Sequence, residues 1–508
     1  MALFDYRGQD GRGLVQDSLN LINYAYHGLF EGERERYQSD GYLSLSLLET
    51  GIGILLGGDA TPRNDIAVAE VNAAGWTVLT AADLGLPADR ADEFHTFYGQ
   101  TPQLQNAQAD VLAKYDDQGN MVQIGFVIRG TSGPIDNVVL DTVGDALDYL
   151  EFLTRHPNYT IDAFSDVLAA VRDLAVANGL DGSDVLVTGH SLGGGATTNL
   201  AENSHTILDG FFVDANYIGV ATHYVAEDGS SVLSNGAEVM SFDFENDPVG
   251  AAIANGIPNL LGNDTEFEFS ADNIVVFNDL YDTPVFAGGG EVINLLSWSA
   301  HLDHVYLNAY QQLIDSEFYD EMSRDSLIIV ADLSDARRDS TWVEDISLAL
   351  TNTGHYGDAA YIIGSDFDDR LRGNNAGDTI EGFEGNDWIK GRGGDDRLLG
   401  GDGNDLIEGG WGDDTLYDGA GSDELDGGWG DDVFVLALDG QTDEITDFDE
   451  GNDLIDVSAW GVTSVNQLSM TQTGWGELTI THGSETLVVQ SDGAWPWLSL
   501  ESNDFLFA

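Results

Sequence analysis

Hydrophobic residues recur every nine positions between Gly364 and Val435. This stretch divides into eight consecutive nonapeptides, whose eighth residue is always large and apolar and whose sixth residue is always Asp. The apolar residues are Leu371, Ile380, Ile389, Leu398, Ile407, Leu416, Leu425 and Phe434. The Asp residues are Asp369, Asp378, Asp387, Asp396, Asp405, Asp414, Asp423 and Asp432. A short strand with an inward apolar residue, followed by a turn, repeats with this period, so the pattern predicts a parallel β-roll over 364–435.

The turn half of each nonapeptide has the composition of a calcium site. Its glycines permit the positive φ angles of tight turns, and turn carbonyls and Asp carboxylates are the oxygen ligands that Ca²⁺ takes. We therefore predict that the eight Asp residues bind several Ca²⁺ ions and that the roll needs the metal to fold. The alternative is a flexible Gly/Asp-rich linker, but a linker does not explain why the sixth position is Asp and the eighth is apolar in all eight nonapeptides. Phe367 and Ala376 replace the fourth-position Gly, which makes the first two sites the poorest candidates.

A second local pattern predicts a catalytic serine. The apolar run Val185-Leu186-Val187 reads as a buried strand, and a helical run follows Gly195. Between them lies Gly189-His190-Ser191-Leu192-Gly193, a G-x-S-x-G sequence in the strand-turn-helix context that a nucleophile elbow requires. This context predicts that Ser191 is the nucleophile of an α/β-hydrolase domain.

A nucleophilic serine needs an acid and a base, which follow it in this order in α/β-hydrolases. The run from Val239 to Phe244 reads as a strand, and Asp247 lies just beyond its carboxyl end. We therefore predict Asp247 as the acid, with Asp243 and Glu245 as alternatives.

The base should come after the acid in the chain. His301 precedes a predicted helix and is the predicted base, with His304 as the main rival. A metal site made of His301, Asp303 and His304 is a further alternative. The oxyanion hole should use the backbone N–H of Leu192 and that of Thr131, which follows a predicted strand at 123–128.

Composition excludes several other classes of protein. Lys and Arg number 18 against 89 Asp and Glu, a net charge of −71, which opposes binding to nucleic acid or anionic membranes and favours cations. There is no Cys, so thiol chemistry and disulfides are excluded. We expect neither an amino-terminal secretory signal peptide nor an integral membrane protein, because the apolar runs are short.

Taken together, these motifs resemble the calcium-dependent bacterial lipases of family I.3, which carry repeats-in-toxin nonapeptides. The likeness includes Phe4-Asp5-Tyr6, Lys114-Tyr115-Asp116-Asp117, Arg129-Gly130-Thr131-Ser132-Gly133-Pro134, Glu245-Asn246-Asp247-Pro248 and Met322-Ser323-Arg324-Asp325. It implies an α/β-hydrolase domain at 1–363, the β-roll at 364–435 and a β-rich C-terminal cap at 436–508. It also implies triacylglycerol hydrolysis and supports Ser191, Asp247 and His301 as the triad.

The resemblance further implies calcium inside the lipase domain. One site, which holds a lid open, corresponds to Asp141, Asp145, Ser132, Gln108 and Asn106, although Asn106 departs from the usual Thr. A second corresponds to Asp272, Asn273 and Asp325. Asp141 and Asp145 are four residues apart on a predicted helix and repel each other unless a cation lies between them; an ordinary acidic helix face is the alternative.

Two apolar stretches are candidates for lids. In the first, Val139, Val143, Leu147 and Leu150 form one helical stripe. The second contains Leu43, Leu45, Leu47, Leu48, Ile52, Ile54, Leu55 and Leu56. Opened lids would expose apolar surface suited to an oil–water interface, which gives interfacial activation. Plain core helices are the alternative for both.

The resemblance also implies how the protein leaves the cell. The final residues, Asp504-Phe505-Leu506-Phe507-Ala508, resemble the uncleaved signal for a type I ABC exporter. We therefore expect a secreted, extracellular, monomeric enzyme whose partner is an ester lipid. Alternatives are a phospholipase or polyester hydrolase with the same triad, a calcium-binding adhesin with an inactive hydrolase domain, and a serine protease.

Overall fold

The structure, a computed structural model, describes residues 3–26, 65–101, 104, 107–129, 158–190, 192–221, 232–242, 274–278, 303–323, 325–345, 357–491 and 497–508. The chain forms two compact units. The first comprises Met1–Asp272 and Pro284–Ile314, and the second comprises Asn273–Thr283 and Asp315–Ala508. The division at 363/364 and 435/436 that the sequence suggested stays a prediction.

The first unit is built on a mixed sheet. A separate small hairpin consists of β1 (Asp5–Tyr6) and β2 (Gln9–Asp10). The strands of the mixed sheet are β3 (Trp76–Val78), β4 (Phe97–Tyr98), β5 (Gln108–Tyr115), β6 (Met121–Ile128), β7 (Val185–His190), β8 (Asn216–Val220) and β9 (Val239–Phe242). The described order is β3-β5-β6-β7-β8-β9, and β4 also pairs with β5. Strands β6 to β9 are parallel, whereas β3, β5 and β6 pair antiparallel.

Helices of the first unit cover both faces of this sheet. The described α-helices of the chain are α1 (Arg12–Tyr26), α2 (Asp65–Ala73), α3 (Tyr159–Ala177), α4 (Leu192–Asn203), α5 (Asp303–Asp315) and α6 (Asp335–Arg338). Phe126 packs in one core with Phe164 of α3 and Leu200 of α4. A Cβ on the neighbouring Gly125 would instead meet Leu21 of α1 at 2.5 Å. Because adjacent strand residues face opposite ways, α1 covers the other face of the sheet.

The buried strands explain why the sequence forms a parallel sheet here. All six residues of β7 are buried, as are all five of β8, so neither strand alternates between buried and exposed positions, as expected of parallel strands covered on both faces. The predicted strands at 123–128 and 185–187 are confirmed by β6 and β7, and the one beginning at Val239 by β9. None of the described helices has the length and apolar character needed to cross a membrane.

The second unit consists mainly of short strands. They are β10 (Ile274–Asn278), β11 (Leu327–Asp332), β12 (Ala360–Ile363), β13 (Arg370–Arg372), β14 (Thr379–Glu381), β15 (Trp388–Gly393), β16 (Arg397–Asp402), β17 (Leu406–Trp411), β18 (Thr415–Ala420), β19 (Glu424–Trp429), β20 (Val433–Val435), β21 (Thr442–Phe448), β22 (Leu454–Asp456), β23 (Ser469–Gly474), β24 (Glu477–His482), β25 (Glu485–Ser491) and β26 (Phe505–Leu506). One sheet has the order β10-β11-β12-β14-β16-β18-β20-β22-β26, and the other β13-β15-β17-β19-β21-β25-β24-β23.

The nonapeptides alternate between these two sheets. Arg370 pairs with Trp388 and Thr379 with Arg397, so strands two repeats apart are parallel neighbours in register. The predicted inward residue of every repeat is fully buried, with an exposed fraction of 0% from Leu371 to Phe434. Each repeat therefore makes half a coil, and burial of this apolar row holds the two sheets together.

Candidate active site and calcium-binding turns

The turn between β7 and α4 has the geometry of a nucleophile elbow. Strand β7 ends at His190 and helix α4 begins at Leu192, so a single residue separates them. A Cβ at Gly189 would lie 2.5 Å from the carbonyl oxygen of Ile128, and one at Gly193 would lie 2.0 Å from the same atom. Only glycine allows this approach, so the motif's two glycines let the turn pack on the end of β6.

Helix α5 lies beside this turn. The ring of Tyr306 packs edge-on against the ring of His190, with 5.3 Å between centroids, and both side chains are buried. Tyr306 in turn lies 5.9 Å from Tyr310 on the same helix. Because α5 begins at Asp303, this contact brings the start of the helix, two residues after His301, towards the elbow.

A buried ion pair fixes the end of β6. Arg129 donates from Nε and Nη2 to Oδ2 of Asp110 at 3.0 and 2.9 Å, and the two side chains are 4% and 0% exposed. Its Nη2 also donates to Thr96 Oγ1 at 3.0 Å, and its Nη1 to Gln108 Oε1 at 3.2 Å. Arg129 is the first residue of the Arg129-Gly130-Thr131 segment, so this network anchors the start of the predicted oxyanion loop.

The sixth-position Asp residues form a hydrogen-bonded ladder in the second unit. The backbone N–H of Asp369 donates to Oδ1 of Asp387 at 2.7 Å, and that of Asp387 to Oδ1 of Asp405 at 2.8 Å. The same contact recurs along the other side of the roll, for example from Asp396 to Asp414. From Asp378 onward, one carboxylate oxygen of each Asp thus accepts a backbone N–H from the preceding coil and joins neighbouring coils.

The second carboxylate oxygen is left for a cation. Among the described contacts, a buried Oδ2 accepts no hydrogen bond in repeats three to seven, at Asp387, Asp396, Asp405, Asp414 and Asp423. A Cβ at Gly382 would lie 2.1 Å from Oδ2 of Asp387, and one at Gly391 2.2 Å from Oδ2 of Asp396. Buried, unpaired carboxylate oxygens in a glycine-lined turn fit Ca²⁺, which takes oxygen ligands.

Burial makes these carboxylates hard to ionise without a metal. Burial, together with the charges of neighbouring Asp residues, raises the pKa of Asp387 to about 9 and that of Asp396 to about 8. It also raises the pKa of Asp423 and of Asp432 to about 7. A bound cation removes this penalty, since it supplies the opposite charge within the low-dielectric turn.

The first two repeats close in a different way. In repeats three to eight the second residue has a positive φ, even where it is Phe383 or Arg392. In the first two repeats the second residue instead donates its backbone N–H to the Asp carboxylate, from Ser365 to Asp369 and from Asn374 to Asp378. These two Oδ2 atoms are therefore occupied by protein donors.

Comparisons with known proteins agree with this architecture. A family profile described as the RTX calcium-binding nonapeptide repeat matches residues 363–398, 381–416 and 408–438. A lipase from Pseudomonas fluorescens is 38% identical over 388 residues, 72% of this chain and 79% of the relative. A second lipase from that organism is 35% identical over 397 residues, 72% of this chain and 84% of the relative. The extracellular lipase LipA from Serratia marcescens superposes with a TM-score of 0.71 at 27% identity, covering 100% of both chains. The chain is a lipase of family I.3.

Family membership confirms several predictions. The lipase combines an α/β-hydrolase fold with a β-roll, is an ester hydrolase, and binds several Ca²⁺ ions through its repeats. The assignment of individual residues to catalysis and to calcium stays a prediction.

Most of the predicted catalytic and lid residues of the lipase lie outside the described part of the chain. They are Ser191, Asp247 and His301, the alternatives Asp243 and Glu245, Thr131 of the oxyanion hole, the ligand candidates Asn106, Ser132, Asp141, Asp145, Asp272 and Asn273, and both apolar stretches proposed as lids. Two other predicted residues are described: Leu192, the predicted oxyanion donor, is the buried first residue of α4, and His304, the rival base, belongs to the first turn of α5.

Two candidate ligands of the lipase-domain calcium sites are described. Gln108 begins β5, and its side-chain oxygen already accepts a hydrogen bond from Arg129. Asp325 is exposed, and its backbone N–H donates to Ser323 Oγ at 3.3 Å. An amide or carboxylate oxygen can accept from a donor and still bind a cation through another lone pair, so both contacts are compatible with calcium binding.

Two members of the Asp ladder lie outside the nine-residue period. The backbone N–H of Asp423 donates to Oδ1 of Asp443, and that of Asp432 donates to Oδ1 of Asp453, at 3.3 and 3.0 Å. These partners follow after 20 and 21 residues instead of 18, which breaks the nine-residue period. The signal that could have found them is the Asp-x-apolar triplet, which persists in Asp443-Glu444-Ile445 and Asp453-Leu454-Ile455.

Substitution of Arg129 by Met is expected to lower the free energy of unfolding of the calcium-loaded lipase by about 3–5 kcal/mol, because it leaves the Asp110 carboxylate buried and uncompensated. Urea unfolding measures this change. Arg172→Met is the matched control, since Arg172 pairs with Asp173 at the surface and should cost about 1 kcal/mol or less. Equal losses in the two variants would contradict the role assigned to the buried pair.

Proposed function

We propose that this lipase is a secreted triacylglycerol lipase that uses Ser191, Asp247 and His301. The observation that carries the catalytic part is the elbow, in which Gly189 at the end of β7 and Gly193 at the start of α4 pack closely on the end of β6. Two relatives that are themselves lipases support the substrate class. The packing of Tyr306 against His190 supports His301 as the base.

The proposed mechanism is acyl transfer through the serine. His301 takes the proton of the Ser191 hydroxyl as its oxygen attacks the ester carbonyl, and Asp247 stabilises the resulting imidazolium. The backbone N–H groups of Leu192 and Thr131 stabilise the oxyanion of the tetrahedral intermediate. His301 then gives the proton to the leaving alcohol, and water releases the acid by the same steps.

Calcium has two proposed roles besides the repeats. Asp141 and Asp145, with Ser132, Gln108 and Asn106, would hold an ion that favours an open lid, and Asp272, Asn273 and Asp325 would hold one near His301. The ion would supply positive charge that offsets these carboxylates. In the same proposal, residues 139–150 and 43–56 are lids whose opening exposes apolar surface to the lipid interface.

The proposed site of action is outside the cell, reached through a type I ABC exporter. The terminal segment Asp504–Ala508 supports this route, as does the Serratia relative, which is an extracellular lipase. Low cytosolic calcium would leave the repeats unfolded for export, and external calcium would fold them. We expect the enzyme to act as a monomer.

A substrate panel tests the choice of lipid. With calcium present, the full-length enzyme should hydrolyse emulsified tributyrin and triolein faster than phosphatidylcholine vesicles or a polyester film. Its rate on tributyrin should rise steeply once the substrate exceeds its solubility, because lid opening needs an interface. Preference for phosphatidylcholine or polyester would instead establish one of the alternative hydrolases, and inactivity on all four would favour the calcium-binding adhesin.

A further inference from the structure

The seventh repeat departs from the others at its first residue. Every other nonapeptide begins with Gly, whereas this one begins with Asp418. In the ordinary repeats the first residue borders the sixth-position carboxylate: a Cβ at Gly400 would lie 2.4 Å from Oδ2 of Asp405, and one at Gly427 would lie 2.5 Å from Oδ2 of Asp432. An Asp at this position therefore brings a second carboxylate next to that of Asp423.

A third carboxylate comes from beyond the repeats. Asp443 begins the inward-facing part of β21, and its Oδ1 accepts the backbone N–H of Asp423. Among the described residues, one group of three His, Asp or Glu side chains brings its ligand atoms within 4.8 Å of one another, and it is Asp418, Asp423 and Asp443. All three are buried, with exposed fractions of 1%, 3% and 3%.

Two features of this cluster suit a bound cation. Oδ2 of Asp423 is buried and accepts no hydrogen bond among the described contacts. The carboxylate of Asp418 is held in place, since its Oδ1 accepts the backbone N–H groups of Gly419 and Ala437 at 2.7 and 2.8 Å.

We propose that Asp418, Asp423 and Asp443 form one divalent-cation site, which differs from the ordinary repeat turns by the added carboxylate of Asp418, and that it binds Ca²⁺ more tightly than they do. Two of its three carboxylates lie outside the repeat motif, one at a position where the motif has Gly and one after the last repeat. Calcium affinity in oxygen-ligand sites rises with the number of charged ligands. The proposal rests on the calcium-binding repeats and is independent of the catalytic residues.

Restoring the repeat motif with Asp418→Gly tests this site. Calcium titration of the calcium-depleted full-length protein, by calorimetry and by competition with a chromophoric chelator, should show that the tightest class of sites is weakened about tenfold or more. Asp443→Asn should have the same effect. Asp418→Asn provides a second variant that keeps the hydrogen bonds to Gly419 and Ala437 while removing the charge, should the glycine variant fold poorly.

Asp431→Asn is the matched control, because Asp431 is an exposed carboxylate in the adjoining repeat. It should titrate like the unmodified lipase, which separates loss of a ligand from loss of one negative charge. Unchanged or tighter calcium binding in Asp418→Gly and Asp418→Asn would overturn the proposal, since it would mean that Asp418 only crowds an ordinary turn. Loss of esterase activity alone would bear on the proposed catalytic function and not on this site.

Discussion

Ser191→Ala is expected to lower kcat for a soluble p-nitrophenyl ester by about 10⁴- to 10⁶-fold, with little change in KM. The reason is that the substitution removes the nucleophile while the pocket and the oxyanion donors stay in place, so that only the weak residual catalysis of the site persists. Initial rates at millimolar calcium measure the effect, with the enzyme concentration raised to detect the residual turnover.

The control for this result is calcium-dependent folding. Ser191 lies in the first compact unit and the repeats in the second, so the variant should keep the calcium-induced change in far-UV circular dichroism. A folded variant that retained more than about a tenth of the activity would contradict a serine mechanism, since loss of a catalytic nucleophile costs far more than tenfold.

Matched substitutions separate the triad from its rivals. Asp247→Asn should lower kcat by about 10⁴-fold, whereas Asp243→Asn and Glu245→Gln should leave it within about tenfold of the unmodified enzyme. His301→Ala should be as damaging as Ser191→Ala, and His304→Ala much less so. A reversal within either set would move the acid or the base to the rival residue and leave the elbow unaffected.

Removal of calcium is expected to unfold the β-roll near pH 8, with loss of its β-sheet signal and of lipase activity. Without the metal, the roll must bury a column of carboxylates whose free oxygens, from Asp387 to Asp423, have no described donor. A buried ionised carboxylate is unfavourable because it loses its hydration, and a protonated one is unfavourable at pH 8 because the unfolded chain releases the proton. Either state costs free energy that bound calcium offsets.

The pH dependence of the calcium-free protein should have a definite sign. The folded pKa values, about 6 for Asp405 and about 9 for Asp387, lie above the ordinary value of 3.8. A raised pKa means that the folded state binds protons more readily, so its stabilising contribution is fully present below about pH 4 and is lost as the pH rises from about 6 to 9. The calcium-free roll should therefore regain structure as the pH falls from 8 towards 5.

Far-UV circular dichroism of the calcium-depleted full-length protein measures this titration. Asp396→Asn should make the calcium-free roll more structured at pH 8, because it imitates the protonated carboxylate, and should weaken calcium binding. In saturating calcium the trend should reverse, since protons then compete with the metal for the same oxygens. A calcium-free roll that is folded at pH 8 and loses structure on acidification would contradict this account.

The fold was predictable wherever the determining pattern is local. The nine-residue period sets the register of 18 residues between neighbouring strands, and the position of Leu371 and its equivalents in the period makes them the core. The glycines around Ser191 likewise predict the elbow, because only residues without a Cβ allow β7, α4 and the end of β6 to meet.

Other features depend on residues that are distant in the sequence. Arg129 and Asp110 form a buried ion pair that joins two neighbouring strands, and no sequence pattern predicts this contact. The continuation of the Asp ladder to Asp443 and Asp453 is hidden because insertions after the eighth repeat break the period, although the strands still pair in space.

The sequence by itself determined the repeat, the elbow and the chemistry that each can support, because a short period and a glycine-flanked serine act over a few residues. Only the tertiary structure decided which carboxylate oxygens are free. It distinguishes Asp369 and Asp378, whose Oδ2 atoms accept from Ser365 and Asn374, from the five Asp residues of repeats three to seven, whose Oδ2 atoms have no described donor. It also joins Asp418 and Asp443 to Asp423. The reason is physical: whether a buried oxygen has a donor depends on the coils packed against it, and those come from 18 or more residues away.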